Sequence, residues 1–294
     1  LTLSVYLLIN YPLQLGLDLQ GGSQLTLQII KEEGKVTKDE LEAVNSVIDR
    51  RVNNLGVSES NLQTLGGDQL ILELPGEQNP LVASRVLGKT ALLEFRTQKA
   101  GTSADLKSLQ LQRLNIKELI EQYASVEKSQ LDDNLLNIIQ DDLIKIEQEL
   151  NYSSNSIDLY EKLIEVKKNI DNEITNLFVK TDLSGKDLIN AGRRQEQTNS
   201  NWEVLLNFSN SGGDKFAEIT KSIAGSDQLL AIILDGESIS EASVGSQFAN
   251  TGITGGSATI SGNFSAENAR DLEVQLKGGS LPLPIEIVET NTIG

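Results

Sequence analysis

The sequence has no cysteine, no histidine and no methionine. Without cysteine there is no disulfide, no thiolate metal site and no thiol nucleophile. Without histidine the commonest general base and the commonest metal ligand are both missing. Methionine is missing even at position 1, so the expectation is a piece of a longer chain. Aromatic residues make up only 4% of the chain, so its cores must be aliphatic. Basic residues are in deficit, 25 against 42 acidic, for a net charge of −17. A nucleic-acid binder needs a basic stripe to neutralise phosphates, and none is present. The acidic surface suits solvation and tolerates basic or unfolded partners. Long apolar runs are also missing. Leu1 to Tyr11 is uncharged and apolar, but as helix it would cover about 16 Å of the roughly 30 Å of a bilayer core. It is expected to be the end of a truncated transmembrane helix, with Tyr6 and Tyr11 at the interface.

What remains is patterned. The 294 residues suffice for two domains, or for one with a large insertion. Gly21-Gly22 turns the chain into a strand in which Leu25, Leu27 and Ile29 share one face. Thr37 and Glu40 form a capping box for a helix that buries Leu41, Val44, Val47, Ile48, Val52 and Leu55 and stops at Gly56. Asn61–Leu65 and Gln69–Leu74 form a hairpin across Gly66-Gly67-Asp68, stopped by Pro75-Gly76. Pro80 opens a short helix, and Leu92–Thr97 reads as a strand. The order strand, helix, strand, strand, helix, strand is that of an α+β, ferredoxin-like (split βαβ) unit.

Between 99 and 178 the period becomes helical, with no Pro or Gly from Ala104 to Leu177. A hairpin or small bundle of amphipathic helices is expected, broken and capped near Ser153–Ser156. Short strands then return. Ser184–Asp187 reads as the start of a brief helix ending at Gly192, and Trp202–Phe208 as a strand. Gly212-Gly213 precedes a helix with Phe216, Ile219 and Ile223. Gln228–Leu234 is a continuous apolar strand turning at Asp235-Gly236. After a Gly/Thr/Ser-rich loop, Ala258–Ser261 is a strand. Ser265 caps a helix ending at Gly278-Gly279, and Ile285–Val288 is a final strand.

Little of this is catalytic chemistry. Gly88-Lys89-Thr90 resembles the tail of a phosphate-binding loop, but the required upstream glycine is Ala83 and a helix, not a strand, precedes it. Asp132-Asp133 and Asp141-Asp142 are adjacent on a helix, about 100° apart, and do not converge on a metal. Arg50-Arg51 reads in isolation as two solvated helix arginines. No catalytic, cofactor-binding or metal-binding residue is assigned, and an enzyme is not expected. The alternatives are a hydrolase on a ferredoxin-like scaffold, which needs a convergent acid, base and anion cradle, and a helical adaptor working through residues 104–177.

Several separated motifs together carry a resemblance. They are Leu17-Asp18-Leu19-Gln20-Gly21-Gly22, Arg50-Arg51-Val52 with Leu55-Gly56-Val57, and Leu74-Pro75-Gly76. Next come Leu87-Gly88-Lys89-Thr90-Ala91 with Leu93-Glu94-Phe95-Arg96, then Leu234-Asp235-Gly236 with Ile239-Ser240. The last runs from Ile260-Ser261-Gly262-Asn263-Phe264 to Gly279, Leu281-Pro282 and Pro284. In this order they resemble the first large ectodomain of the SecD family, membrane components that assist the bacterial Sec protein-export machinery. The runs 277–280 and 289–292 depart in detail from the commoner family forms.

The resemblance implies a base beside the membrane (12–98 and the returning 255–294) and an inserted head (99–254) carrying the helical insertion 99–178. It implies the periplasmic side of the bacterial inner membrane, flanking transmembrane helices, and partnership with SecF, the SecYEG channel and a translocating unfolded preprotein. It also implies that the proton gradient drives head movement, with the proton-relay acid in a transmembrane helix beyond Gly294. Gln98, Gly101, Gly252, Gly255 and Gly256 are the hinge candidates on this reading.

Overall fold

The computed structural model describes residues 21–31, 33–57, 60–76, 79–125, 133–156, 158–196 and 200–293. The chain divides into two units. Unit 1 is Leu1–Leu92, Leu188–Asn207 and Ser261–Gly294, and unit 2 is Leu93–Asp187 and Phe208–Ile260.

In unit 1, strand β1 (Gly22–Ile29) lies between β3 (Gln69–Pro75) and β11 (Ile285–Ile293), and β2 (Asn61–Leu65) flanks β3. Every pairing in this sheet is antiparallel. Alternation sets the register. Leu25 faces Leu72 and Leu27 faces Leu70, and all four are buried, because a slip by one residue would turn the whole apolar set to water. Helix α1 (Lys38–Leu55) and helix α2 (Pro80–Leu87) cover this face with Val44, Ile48, Val52, Val86 and Leu87.

The expected fourth strand of this sheet is not there. β4 (Leu93–Gln98) belongs to unit 2, and the returning β11 takes the place beside β1. β11 is also longer than the expected Ile285–Val288. With β3 on one side and β11 on the other, β1 has no free edge left for β4.

Unit 2 is built on the sheet β5-β4-β8-β9, with β5 Phe178–Ser184, β8 Leu229–Leu234 and β9 Glu237–Ser243. β8 is apolar throughout because both of its faces are covered. Ala231 and Ile233 join a core made by helices α3 (Ser103–Ser125), α4 (Asp133–Leu150) and α5 (Leu159–Asn176). Beside Phe95 of β4, the rings of Phe208 and Phe216 follow in series, with centroids 5.5 and 5.3 Å apart. Phe216 lies on helix α6 (Asn210–Ile223). Asp235 and Gly236 turn β8 into β9 with φ of 51° and 86°, the positive pair that a type I′ hairpin requires.

A three-stranded sheet, β10-β7-β6, uses β6 (Leu188–Gln195), β7 (Trp202–Phe208) and β10 (Ser257–Phe264), followed by helix α7 (Ala266–Gly278). Three local expectations change. The helix expected from Ser184 to Gly192 is a single 3₁₀ turn, Gly185–Asp187, before β6. Helix α6 starts before the Gly pair, capped by Ser209, with Gly212 and Gly213 buried in its first turn. There is no room for side chains there: a Cβ on Gly212 would sit 2.8 Å from the Asp187 Cβ. The cap of α5 is Asp158, which accepts from the Glu161 N–H, while Ser154 is occupied with Glu165.

The capping box of α1 is formed as expected. Lys31 lies 2.8 Å from the Glu40 carboxylate, and the Thr37 backbone N–H and hydroxyl also donate to it. These bonds, led by Lys31, hold Glu40 at about 2, down from 4.5. A depressed carboxyl stabilises the fold above its unfolded pKa and loses that contribution as pH falls through the folded one. The stability difference between the native chain and Glu40→Gln, followed by urea denaturation, is therefore expected to be constant above about pH 4.5 and to vanish towards pH 2. It should also shrink in high salt, because both partners remain partly open to solvent.

Candidate functional site

The buried stripe of α1 runs Val44, Val47, Ile48, Arg51, Val52, Leu55, so an arginine occupies a core position. Arg51 is 0% exposed, and the reading of two solvated arginines is corrected for this one. Arg50, next to it, is exposed and donates its Nε to the Ser46 carbonyl of its own helix. Arg51 instead reaches across unit 1. Its Nη1 donates to the carbonyls of Val86 (2.8 Å), Leu87 (3.0 Å) and Lys89, and its Nη2 to those of Thr90 (3.2 Å) and Gly279 (2.9 Å).

Val86 and Leu87 end α2, and Gly279 caps α7. The last carbonyls of a helix have no partner within it and carry its negative pole, so one cation here satisfies two helix ends. The planar, forked guanidinium is the side chain that can address so many acceptors at once. Gly278 makes the passage possible, since a Cβ there would lie 2.3 Å from the Arg51 Cγ. The Leu281 N–H then donates to the Thr90 carbonyl at 2.8 Å, and the Ile30 N–H to the Pro284 carbonyl at 2.8 Å, which leads β11 onto β1.

Three signature runs far apart in sequence thus meet at one side chain. A second meeting joins Gly21-Gly22 to Pro75-Gly76: Gly22 pairs with Pro75, and the Gly76 N–H donates to the Gly21 carbonyl. Gly88-Lys89-Thr90 offers carbonyls to a cation, the opposite of an anion cradle. Gly56 is the left-handed cap of α1. Pro282 and Pro284 flank the half-buried Leu283 in the lead-in to β11, and Gly262 lies close beneath the Phe264 ring within β10.

Other signature residues belong to unit 2. Phe95 is fully buried, and Glu94 binds Arg96 at 2.6 Å and Lys180 at 2.5 Å. Burial pushes the Glu94 carboxyl up, but the two cations outweigh it and hold it below its ordinary value. Asp18 lies outside the described residues, as does the segment Leu1–Tyr11. Among the described residues no helix is long and apolar enough to cross a membrane, and no group of three or more carboxylates is placed to hold a metal ion.

The hinge candidates all fall inside unit 2, whereas the chain passes between units at 92/93, 187/188, 207/208 and 260/261. Gln98 is buried in β4, where its side-chain oxygen accepts from the Leu229 N–H. Gly101 lies in the turn before α3. Gly252 is packed on α6, where a Cβ would overlap the Ala217 carbonyl at 1.8 Å, and the Cα of Gly256 lies 3.0 Å from the position of a Gly213 Cβ. Gly255, beside it, has open space around it. Gln98, Gly252 and Gly256 are thus paired or packed within unit 2, whereas Gly101, like Gly255, has open space around it.

Known proteins resemble this chain along its whole length. The SecD/SecF GG motif matches residues 6–29, the N-terminal part of the P1 domain of protein translocase subunit SecDF matches 41–100, and the SecDF P1 head subdomain matches 161–283. Protein translocase subunit SecD of Prochlorococcus marinus is 54% identical over 298 residues, covering 100% of this chain and 60% of that protein. The chain belongs to the SecD family. SecD of Synechocystis sp. is 42% identical over 98% of this chain and 57% of its own length.

A crystal structure of SecDF in a super-membrane-facing form superposes with a TM-score of 0.62 and 26% identity, over 99% of this chain and 34% of that one. A second, of a SecDF described as a membrane component that enhances protein export, has a TM-score of 0.58 and 25% identity over 90% of this chain and 98% of that one. This SecD-family chain thus spans about 60% of its first relatives and corresponds to the P1 region of SecD and SecDF. Helices α3 and α4 lie between the two P1 matches, outside both.

Two substitutions test the Arg51 junction. Arg51→Lys leaves several buried carbonyls unpaired and is expected to cost about 2–4 kcal/mol. Gly278→Ala drives a methyl into the Arg51 stem and is expected to cost about 1–3 kcal/mol. Denaturant unfolding monitored in unit 1 reads both, and the two losses should be less than additive in the double variant, because both act on one contact.

Proposed function

We propose that the chain is the periplasmic P1 ectodomain of a SecD subunit in the bacterial inner membrane, a non-enzymatic binding and mechanical module. It engages unfolded polypeptide emerging from the SecYEG channel, works with SecF, and helps complete translocation by movement of a head against a base. The ordered match of the GG motif and both P1 models, together with 54% identity to a translocase SecD, carries this reading. The base is a split βαβ unit whose fourth strand is the returning β11. The strand order β11-β1-β3-β2 supports that assignment.

Unit 2 is the head, and dihedral change is absorbed at 92/93 and 187/188, the two passages between the units that lie at strand starts and not within a strand. A two-position head favours forward movement only if some other process biases its equilibrium. In this reading protonation within the membrane supplies that bias, and the head supplies weak, reversible contacts.

The absence of cysteine makes the test direct. Single cysteines replace the exposed Ser211 and Ser246 in the full-length membrane protein, with a secretory protein arrested in the channel. The expected result is crosslinking to the arrested chain that changes in yield when the proton gradient is collapsed. Active export with no crosslink at either position would contradict client engagement by the head.

A further inference from the structure

Helices α3 and α4, the pair outside the matched P1 models, lie side by side in unit 2 and leave a groove of about 400 Å³. Its floor is aliphatic, from the buried Leu119 and Ile146. Its walls come from residues spaced at helical intervals: Asn115, Glu118 and Gln122 on α3, and Ile138, Asp142 and Glu149 on α4. The apolar character continues onto the surface. Ile138 is 47% exposed, and Leu111 and Leu114, one turn before Asn115 and Glu118, are 60% and 54% exposed.

The charge on the rim is acidic. Lys145 is held by Asp142 at 2.6 Å, while Glu118 and Glu149 have no ion-pair partner among the described residues. Glu149 instead accepts from the Gln112 side chain at 3.2 Å, which ties the two helices together at this end of the groove.

We infer that this groove docks extended segments of the translocating polypeptide in which Lys or Arg stands beside an aliphatic residue. The inference rests on the translocase reading above. Charge complementarity chooses the occupant: exposed aliphatic side chains near carboxylates without an ion pair match an apolar side chain flanked by cations. The volume takes a few side chains and no folded domain. Exposed charge pairs are weak one by one and screened by salt, so such a dock holds a segment briefly and lets it go, as a processive step requires.

The test uses the full-length membrane protein carrying Leu114→Cys, with Ser211→Cys as a separate reporter elsewhere in unit 2. The arrested secretory protein exposes either a leucine–lysine segment or the same segment with glutamine in place of lysine. Crosslinking at Leu114→Cys is expected to be about tenfold stronger for the lysine segment, and Glu118→Gln with Glu149→Gln should abolish the preference. Both carboxylates are exposed, and glutamine at 149 keeps an oxygen that can accept from Gln112, so the double variant should keep its melting temperature. A soluble leucine–lysine peptide should likewise bind the purified chain more weakly in the double variant and in high salt. Equal crosslinking of the two segments overturns the proposal. Crosslinks at Ser211→Cys with none at Leu114→Cys also overturn it and leave the translocase reading standing, whereas crosslinks at neither overturn both. Capture of another membrane subunit at Leu114→Cys assigns the groove to that subunit and likewise overturns the proposal.

Discussion

A buried guanidinium that donates to five backbone carbonyls fixes the architecture of unit 1. Burying a charge is costly, and it persists only where its hydrogen bonds are well satisfied. Here the acceptors include the carbonyl ends of α2 and α7, groups that themselves need donors. Each side therefore answers the other's desolvation. Several sequence choices then become obligatory: no side chain at Gly278, a left-handed φ of 84° at Gly279, and a chain that bends from α2 through Lys89 and Thr90 instead of running straight into a strand. With Leu281 bonded to Thr90, the final strand is delivered beside β1. The closing segment of the chain thus completes a sheet begun at its start.

Unit 2 is held together by different means. A continuously apolar β8 is covered on both faces, by the helical arm and, through three phenylalanine rings, by α6. Polar clamps at the margin tie the arm to the β8–β9 hairpin. Arg113 of α3 binds Glu241 at 3.1 Å, and Lys167 of α5 lies between Asp171 (2.7 Å) and Glu237 (3.0 Å). Burial pushes the Asp171 carboxyl up, while Lys167 outweighs burial at Glu237 and holds that carboxyl down. These pairs anchor the arm to the central sheet.

Much of the fold was legible because it is written locally. The capping box at Thr37, the hairpin at Gly66–Asp68 and the apolar run of β8 each appear where periodicity and turn chemistry put them. What failed was non-local. Nothing in residues 92–97 says that their strand partners are β5 and β8 rather than β1, since that depends on a segment almost 200 residues later competing for the same edge. The Ser184–Gly192 helix failed for a related reason: a short polar stretch has no strong period, and sheet pairing with β7 decided it. Arg51 could have been found. Its spacing from Val47, Ile48 and Leu55 puts it on the buried stripe, and a charged residue there demands partners. Its acceptors, being backbone carbonyls, leave no mark in the sequence beyond the glycines that make room.

The central claim is that Arg51 couples α1, the end of α2 and the approach to β11 into one cooperative unit. Amide hydrogen exchange on Arg51→Lys tests it most directly. The account predicts that protection falls together at the Gly279 and Leu281 amides and across the β1–β11 ladder, while the β4–β8 ladder of unit 2 keeps its protection. Loss confined to α1, or spread evenly over both units, would contradict it.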